Sequence, residues 1–374
     1  MWHVERISDL HSLDGLKAVW DRWGARTPMR SAAWHRAWWG CFGGKYQPYV
    51  LVARQRDTIG GILPLALGSD ILSGRRLILS GSVKACGDDL GLLAGQGEAA
   101  AVSRAMVEWL EKANGQDTWD SLDLDGLQPA NPSTSAFMHE LKQQSALWVE
   151  ERHSPACWAV DLSRGWASLL SQLSKRARKI VKSVETDYLQ TGRARLREAE
   201  SLEDAQAKLQ TIIALHQSRW KERQIAGCFS TPGFQAFIEN MLYQWWPERL
   251  AYVATLELDG REVAGAFGFW NAEELALYLV GMDIDASEHR PGWIFNIATM
   301  QHALATGRQR VNFLRGDEEY KARLGGRPIE QSRWVVTSPR LASRWRRSAI
   351  RRGLEVRDWF RSQPARCPAA TAAD

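Results

Sequence analysis

The chain has no run of about 18 apolar residues, so no membrane-spanning helix is expected. Its first residues, Met1 to Arg6, carry no basic segment followed by an apolar one, so no secretory signal is expected. Cysteine is sparse and scattered: Cys41, Cys86, Cys157, Cys228 and Cys367 form no C-x-x-C pair and no Cys/His cluster. That excludes a disulfide framework and argues against a structural zinc site. No metal is expected at all, and the expected setting is a reduced cytoplasm. Basic charge is lacking from most of the chain. Nine arginines between Arg340 and Arg366 face only Glu355 and Asp358, an excess of seven positive charges, while the whole chain carries +5. The body is therefore slightly acidic, and no specific nucleic-acid surface is expected.

What remains is a chain of 374 residues, 45% of them hydrophobic, enough for two ordinary domains with sizeable cores. Tryptophan is abundant at 19 residues, and Trp38, Trp39, Trp245 and Trp246 lie in helical contexts, where core and interface packing is the expectation.

The first half reads as helices around 13–23 and 32–41, then a hairpin with strands at Tyr49–Arg54 and Ile59–Leu65. A strand at Leu77–Leu79, a helix at Ala99–Ala113, a strand at Leu122–Leu124 and a capped helix after Pro129–Thr134 follow. Trp148–Leu162 is expected to cross, as strand, into the second half. There Trp166–Leu189 holds a near-ideal helical period, with Lys175, Arg176, Lys179 and Lys182 off the apolar stripe. Such a basic face reads as solvated, or as a seat for an anionic acceptor. Helices at Leu202–Trp220 and Phe234–Trp246 precede a second hairpin, Tyr252–Leu258 and Glu262–Trp270, turned at Asp259-Gly260. Arg333–Thr337 is expected as the last strand of this half. The two hairpins share a tyrosine-led strand, an Asp-bearing turn, and Gly61 or Gly265 at nearly the same place. Together with the repeated helix-then-hairpin order, this suggests a duplicated α/β domain.

The richest stretch is 275–326. The strand Leu275–Val280 ends in Gly281-Met282-Asp283; the loop Glu288-His289-Arg290-Pro291-Gly292 then opens the apolar helix Trp293–Ala305. A loop that opens a helix after a strand presents free N–H groups, a ready anion site. Gly292 and the amides after it are the candidate phosphate cradle, against the plain reading of a helix start after proline. The next strand ends at the polar cluster Asp317, Glu318, Tyr320 and Lys321, which reads either as acid–base machinery or as a solvated turn. His216 sits on an apolar helix face, where a buried core histidine is the ordinary reading and a base the sharper one.

The second half resembles a GNAT-type acyltransferase domain, and more narrowly the CelD-like acetyltransferases related to FemAB peptidyltransferases. The residues that carry this are His216–Trp220, Ala264–Phe269, Tyr278–Asp283, Pro291-Gly292 and Gly316–Lys321, with Gly60–Leu65 matching a strand of the family in the first half. The resemblance implies a mixed-sheet α/β (α+β) fold of tandem GNAT-like domains: residues 1–150 a degenerate GNAT-like domain, 151–338 the acyltransferase domain, and 339–374 a basic tail. It implies acetyl-CoA or another acyl-CoA as substrate, bound by Val280, Gly281, Met282, Arg290, Gly292 and Trp293. It implies catalysis by Lys321, Tyr320, Asp317 and His216. It implies transfer to an amine or hydroxyl of a sugar or cell-envelope precursor. The chain departs from the usual acyl-CoA loop pattern with His289 and Ile294 at the outer positions, which keeps open a FemAB-like enzyme using aminoacyl-tRNA. A non-catalytic module of a polysaccharide-assembly system is the third reading. The arginine-rich tail, with Trp345, Trp359 and Phe360, is read as disordered or as a peripheral membrane contact.

Overall fold

A computed structural model describes residues 1–24, 27–71, 74–222 and 227–349, with backbone only at 220 and 222. In chain order the strands are β1 (His3–Ile7), β2 (Tyr46–Gln55), β3 (Thr58–Asp70), β4 (Gly74–Leu79), β5 (Leu93–Ala94), β6 (Ser121–Leu127), β7 (Trp148–Arg152), β8 (Cys157–Asp161), β9 (Ala194–Glu198), β10 (Ala251–Leu258), β11 (Arg261–Trp270), β12 (Glu274–Met282), β13 (Arg310–Arg315), β14 (Arg327–Ile329) and β15 (Ser332–Thr337). The α-helices are α1 (Lys17–Gly24), α2 (Ala32–Phe42), α3 (Ala99–Lys112), α4 (Pro132–Gln143), α5 (Trp166–Gln172), α6 (Lys175–Val184), α7 (Leu202–Glu222), α8 (Phe234–Trp245), α9 (Pro291–Ala305) and α10 (Glu319–Arg323).

The strands form two mixed sheets. The first has the order β1-β2-β3-β4-β6-β15-β7, with β5 on β3; the second has the order β14-β8-β13-β12-β11-β10-β9. Each contains one parallel pair, β4–β6 and β12–β13, among antiparallel neighbours. The fold is therefore mixed α/β with two sheets.

The two hairpins match more closely than their sequences do. Each carries a register shift beside its turn, at Ala53/Arg54 and at Leu256/Glu257. The paired glycines do the same job. A Cβ on Gly61 would lie 2.6 Å from Val102 of α3, and one on Gly265 would lie 2.8 Å from Ile212 of α7. Each hairpin thus presents a notch into which a helix settles.

Three expectations change. The stretch Trp148–Leu162 is two strands, β7 in the first sheet and β8 in the second, so the crossing occurs between them. The stretch 332–337 does not close the second sheet: β15 returns to lie between β6 and β7 of the first. The helix 166–189 is broken after α5, because the Ser174 side chain accepts from the Ala177 N–H and starts α6 afresh; a π-helical turn, Glu185–Leu189, ends it. Ala177, Val181 and Val184 of α6 are buried, while Lys175, Arg176, Lys179 and Lys182 face solvent.

The tryptophans act as core and as seam between the halves. Trp34 of α2 stacks on Trp245 of α8 at 6.0 Å and meets Phe237 and Tyr278 edge-on. One buried cluster accordingly runs from α2 and the first sheet through α8 to Phe269 and Leu279 of the second. Trp38 and Trp39 are buried in it as well.

Candidate active site

The second sheet is split. β12 and β13 pair only through Glu274–Arg310, Leu275–Val311 and Ala276–Asn312, although β12 continues to Met282 and β13 to Arg315. Beyond Ala276 the β12 edge that faces β13 has no ladder partner among the described residues. Its other edge stays paired with β11 as far as Met282–Ala264. The register shift in that pairing falls between Phe267 and Gly268, opposite Tyr278. The bulge of β12 therefore lies at Tyr278. Gly281 serves packing: a Cβ there would meet the Ile212 carbonyl at 2.5 Å and the His216 nitrogen at 3.0 Å. The absent side chain lets α7 lie on β12.

At the open end of the split lies a cavity of about 350 Å³ whose lining includes Arg219, Met282, Arg290, Gly292, Asn296 and Tyr320. α9 enters with its N-terminus toward this space. Arg290, at the helix cap, adopts φ 54°, ψ 56°, a conformation that costs a non-glycine residue energy and is held here by its neighbours. Pro291 has no N–H, and the Trp293 N–H is taken by the Arg290 carbonyl at 2.9 Å. The Ile294 N–H reaches that carbonyl only at 3.5 Å. The first turn thus offers the Gly292 amide, the loosely held Ile294 amide and the positive end of the helix dipole. A Cβ on Gly292 would stand 2.9 Å from the Met282 sulfur, so glycine keeps the strand end and helix start close. The buried Asn296 donates to the Gly292 carbonyl at 2.7 Å and braces this turn.

The structure gathers Met282, Arg290, Gly292, Trp293 and Tyr320 around one cavity. Val280 and Gly281 lie on the unpaired stretch of β12 that leads to it. The Tyr320 ring packs edge-on against Phe313 at 5.9 Å. Burial pushes its phenol pKa well up, with the Glu318 charge adding to the effect, so the group holds its proton at neutral pH.

The other three catalytic candidates lie elsewhere. Lys321 is 2% exposed, and its ammonium donates to the carbonyls of Leu314, Arg315 and Gly316 at 3.1, 3.1 and 3.0 Å, with Glu318 at 2.9 Å. Its nitrogen is turned onto these four oxygens and does not line the cavity. Asp317 is exposed and accepts from the Trp158 indole at 3.2 Å. His216 is buried against Phe229, with Nε2 3.7 Å from the Cys228 sulfur. Burial, assisted by Arg219, lowers its pKa to about 4, which keeps the ring neutral.

Arginines that the sequence analysis did not assign to the acyl-CoA site also line this region. Arg219, at the end of α7, reaches the cavity. A neighbouring depression brings Arg176, Arg290 and Arg323 together beside Trp293. Arg176 belongs to the basic face that reads from sequence as solvated or as a seat for an anionic acceptor. Its nearness to Arg290 depends on how α6 packs on α9, a relation no sequence spacing encodes.

Residues 175–322 match the family model of the acetyltransferase (GNAT) domain. No curated protein matches the chain by sequence. Among solved structures, FemX is similar over 88% of this chain and 96% of its own, with a TM-score of 0.61 at 9% identity. A tandem GNAT protein from the clavulanic acid biosynthesis pathway is similar over 91% of this chain and 99% of its own, with a TM-score of 0.51 at 12% identity. A C-terminal domain named for a lysylphosphatidylglycerol synthetase, from Agrobacterium fabrum, is similar over 87% of this chain and 94% of its own, with a TM-score of 0.51 at 12% identity. At these identities the likeness is one of fold. Residues 175–322 thus carry a domain of the acetyltransferase (GNAT) type, which supports an acyltransferase, and the likeness to the tandem GNAT structure extends the fold over the rest of the chain.

Proposed function

We propose that the chain transfers an acetyl or other acyl group from acyl-CoA to an amine or hydroxyl of a sugar or cell-envelope precursor, in the manner of CelD-like enzymes. The split between β12 and β13, ending at the N-terminus of α9, carries this reading. An extended pantetheine arm has amide groups that match an unpaired strand edge, and residues 277–282 of β12 supply one. The diphosphate would meet the Gly292 amide and the dipole of α9, with Arg290 beside it. Arg176 and Arg323 stand where further phosphate charge would lie.

Transfer is direct. The acceptor loses its proton as it attacks the thioester carbonyl carbon, a backbone N–H on the unpaired edge of β12 holds the oxyanion, and the C–S bond breaks. Tyr320, protonated and at the cavity wall, delivers a proton to the departing thiolate. No Cys/His or Ser/His pair lines this cavity, so a covalent enzyme intermediate has no support. A peripheral membrane contact through the tail belongs to this reading as a secondary element. Trp345 is exposed, whereas Arg346 and Arg347 are paired to Asp120 and Glu150; Trp359 and Phe360 lie outside the described residues.

The competing reading is an aminoacyl donor. It is favoured by the structural neighbour named for lysylphosphatidylglycerol, and by His289 and Ile294 in the loop. Thermal shift separates the two. Stabilisation by acetyl-CoA supports the first reading, and no response to a panel of acyl-CoAs removes it.

A further inference from the structure

A second cavity, of about 400 Å³, lies between the halves on the other face of β13. Leu314 and Asn312 line this one, whereas Phe313 between them packs on Tyr320 of the first. Ala276 and Asn312, the last paired residues of β12 and β13, both line it, so it reaches the root of the split. Among the described residues its wall carries Asp88, Asp89, Asp161, Glu273 and Glu274 against one lining cation, Arg310. Behind the wall, Arg315 pairs with Asp88 and Asp125, and Arg30 pairs with Asp89. Arg310 reaches Glu274 only at 3.5 Å. Among the described residues, Asp161 and Glu273 form no ion pair, and the five lining acids outnumber the three arginines that pair with them.

A second observation, independent of the acids, points to a ligand. Gln331 is 5% exposed and lines this cavity, and neither its Oε1 nor its Nε2 has a hydrogen-bond partner among the described residues. A buried amide with both ends unmatched is costly unless something polar meets it. No three of the acids converge as a metal cage among the described residues.

We propose that this cavity anchors an acceptor through a cationic nitrogen that is not itself acylated. This rests on the acyltransferase reading above. The argument is one of protonation. An acid-lined, partly buried space stabilises an ammonium and so disarms it as a nucleophile. Burial raises the pKa of Glu274, and the charge of Asp89 adds to that, so the lining gains energy from any cation that enters. A nitrogen held there stays protonated, and a second group on the same molecule, an amine or hydroxyl, extends to the root of the split. That group loses its proton as it attacks, the C–S bond breaks, and the sulfur leaves as a thiol. The acceptor class is therefore a molecule with two functional groups, one of them a spare ammonium or guanidinium, such as a diamine or amino alcohol.

Calorimetry on the full chain at low salt tests this, with 1,4-diaminobutane, 4-amino-1-butanol and 1,4-butanediol as probes and acetyl-CoA in parallel. Both amine probes should bind, and the diol should bind at least tenfold more weakly. Glu273→Gln and Gln331→Leu should each weaken the amines by about fivefold or more and leave acetyl-CoA affinity unchanged, which also shows that they fold. Equal binding of diol and amines overturns the inference. So does unaltered amine binding in the two variants combined. If acetyl-CoA binds and no amine does, the inference fails while the acyl-CoA reading stands. If the amines bind as described and acyl-CoA does not, the cationic site stands and the donor must be sought elsewhere.

Discussion

The Lys321 ammonium lies 3.1 Å from the carbonyl of Leu314, a residue held at φ 55°. A left-handed leucine in a strand is strained and persists only where its surroundings hold it. Here β13 leaves register with β8 between Asn312 and Arg315, and three successive carbonyls turn onto one buried cation. The lysine replaces ladder hydrogen bonds that the bend removes.

Lys321→Met should therefore act on stability first. It strands three inward carbonyls and the Glu318 partner, a loss on the order of 3–5 kcal/mol. Urea denaturation should show the midpoint falling. A fully stable Lys321→Met protein with no turnover would return this residue to a chemical role.

Tyr320→Phe should behave in the opposite way. Kcat should fall by about 100-fold or more, the typical range for a lost general acid, with stability and acyl-CoA affinity nearly unchanged. Because the phenol pKa is raised by burial, Tyr320 should add no alkaline limb to the rate profile below about pH 10. A steady-state pH profile of both proteins checks this.

Gly292→Val should weaken acyl-CoA binding by about tenfold, since its side chain fills the approach between Met282 and the helix start. Gly281→Ala should instead cost stability, roughly 1–3 kcal/mol, because its Cβ meets the backbone of α7 at 2.5 Å. Binding isotherms and melting curves for the pair distinguish a ligand role from a packing role.

Arg315→Met should loosen the two halves. Its guanidinium meets Asp88 at 2.7 Å and Asp125 at 3.0 Å, both from the first half. Removing it leaves Asp88, which is 4% exposed, without its countercharge, at a cost on the order of 3–5 kcal/mol. Hydrogen exchange should rise on both sides of the seam, not in β13 alone.

His216 and His35 should make the protein acid-sensitive. Burial lowers their pKa values to about 4 and about 3. In the unfolded chain both take up a proton near pH 6.5, which the folded state refuses. Their contribution is complete above pH 6.5 and is lost as pH falls from there toward 4 and 3. The melting temperature should drop over that window, and His216→Gln should flatten the slope; an unchanged slope would contradict the assignment.

Much of the fold was legible because it is local. The periods of α3, α7 and α9, the turn at Asp259-Gly260 and the order of strand, loop and helix around Gly292 are all written in short windows. The resemblance between the hairpins was legible too, although the reason for Gly61 and Gly265, a helix seated on each, was not. Failures came where distant pairing decides. Residues 332–337 read as strand correctly, yet which sheet they join depends on β6 and β7, some two hundred residues earlier. The polar cluster after β13 was visible, but its roles were not. Tyr320 and Lys321 are neighbours in sequence, and a short helix turns one toward the cavity and the other into the loop.

The sequence by itself determined most of the elements, the likeness of the two hairpins and a strand-to-helix loop with a glycine at its narrowest point, because propensity, periodicity and close backbone approach act over a few residues. Tertiary structure decided the split between β12 and β13, the sharing of β15 and the gathering of carboxylates beside Gln331. Those depend on the register and packing of segments far apart in the chain, which no local pattern records.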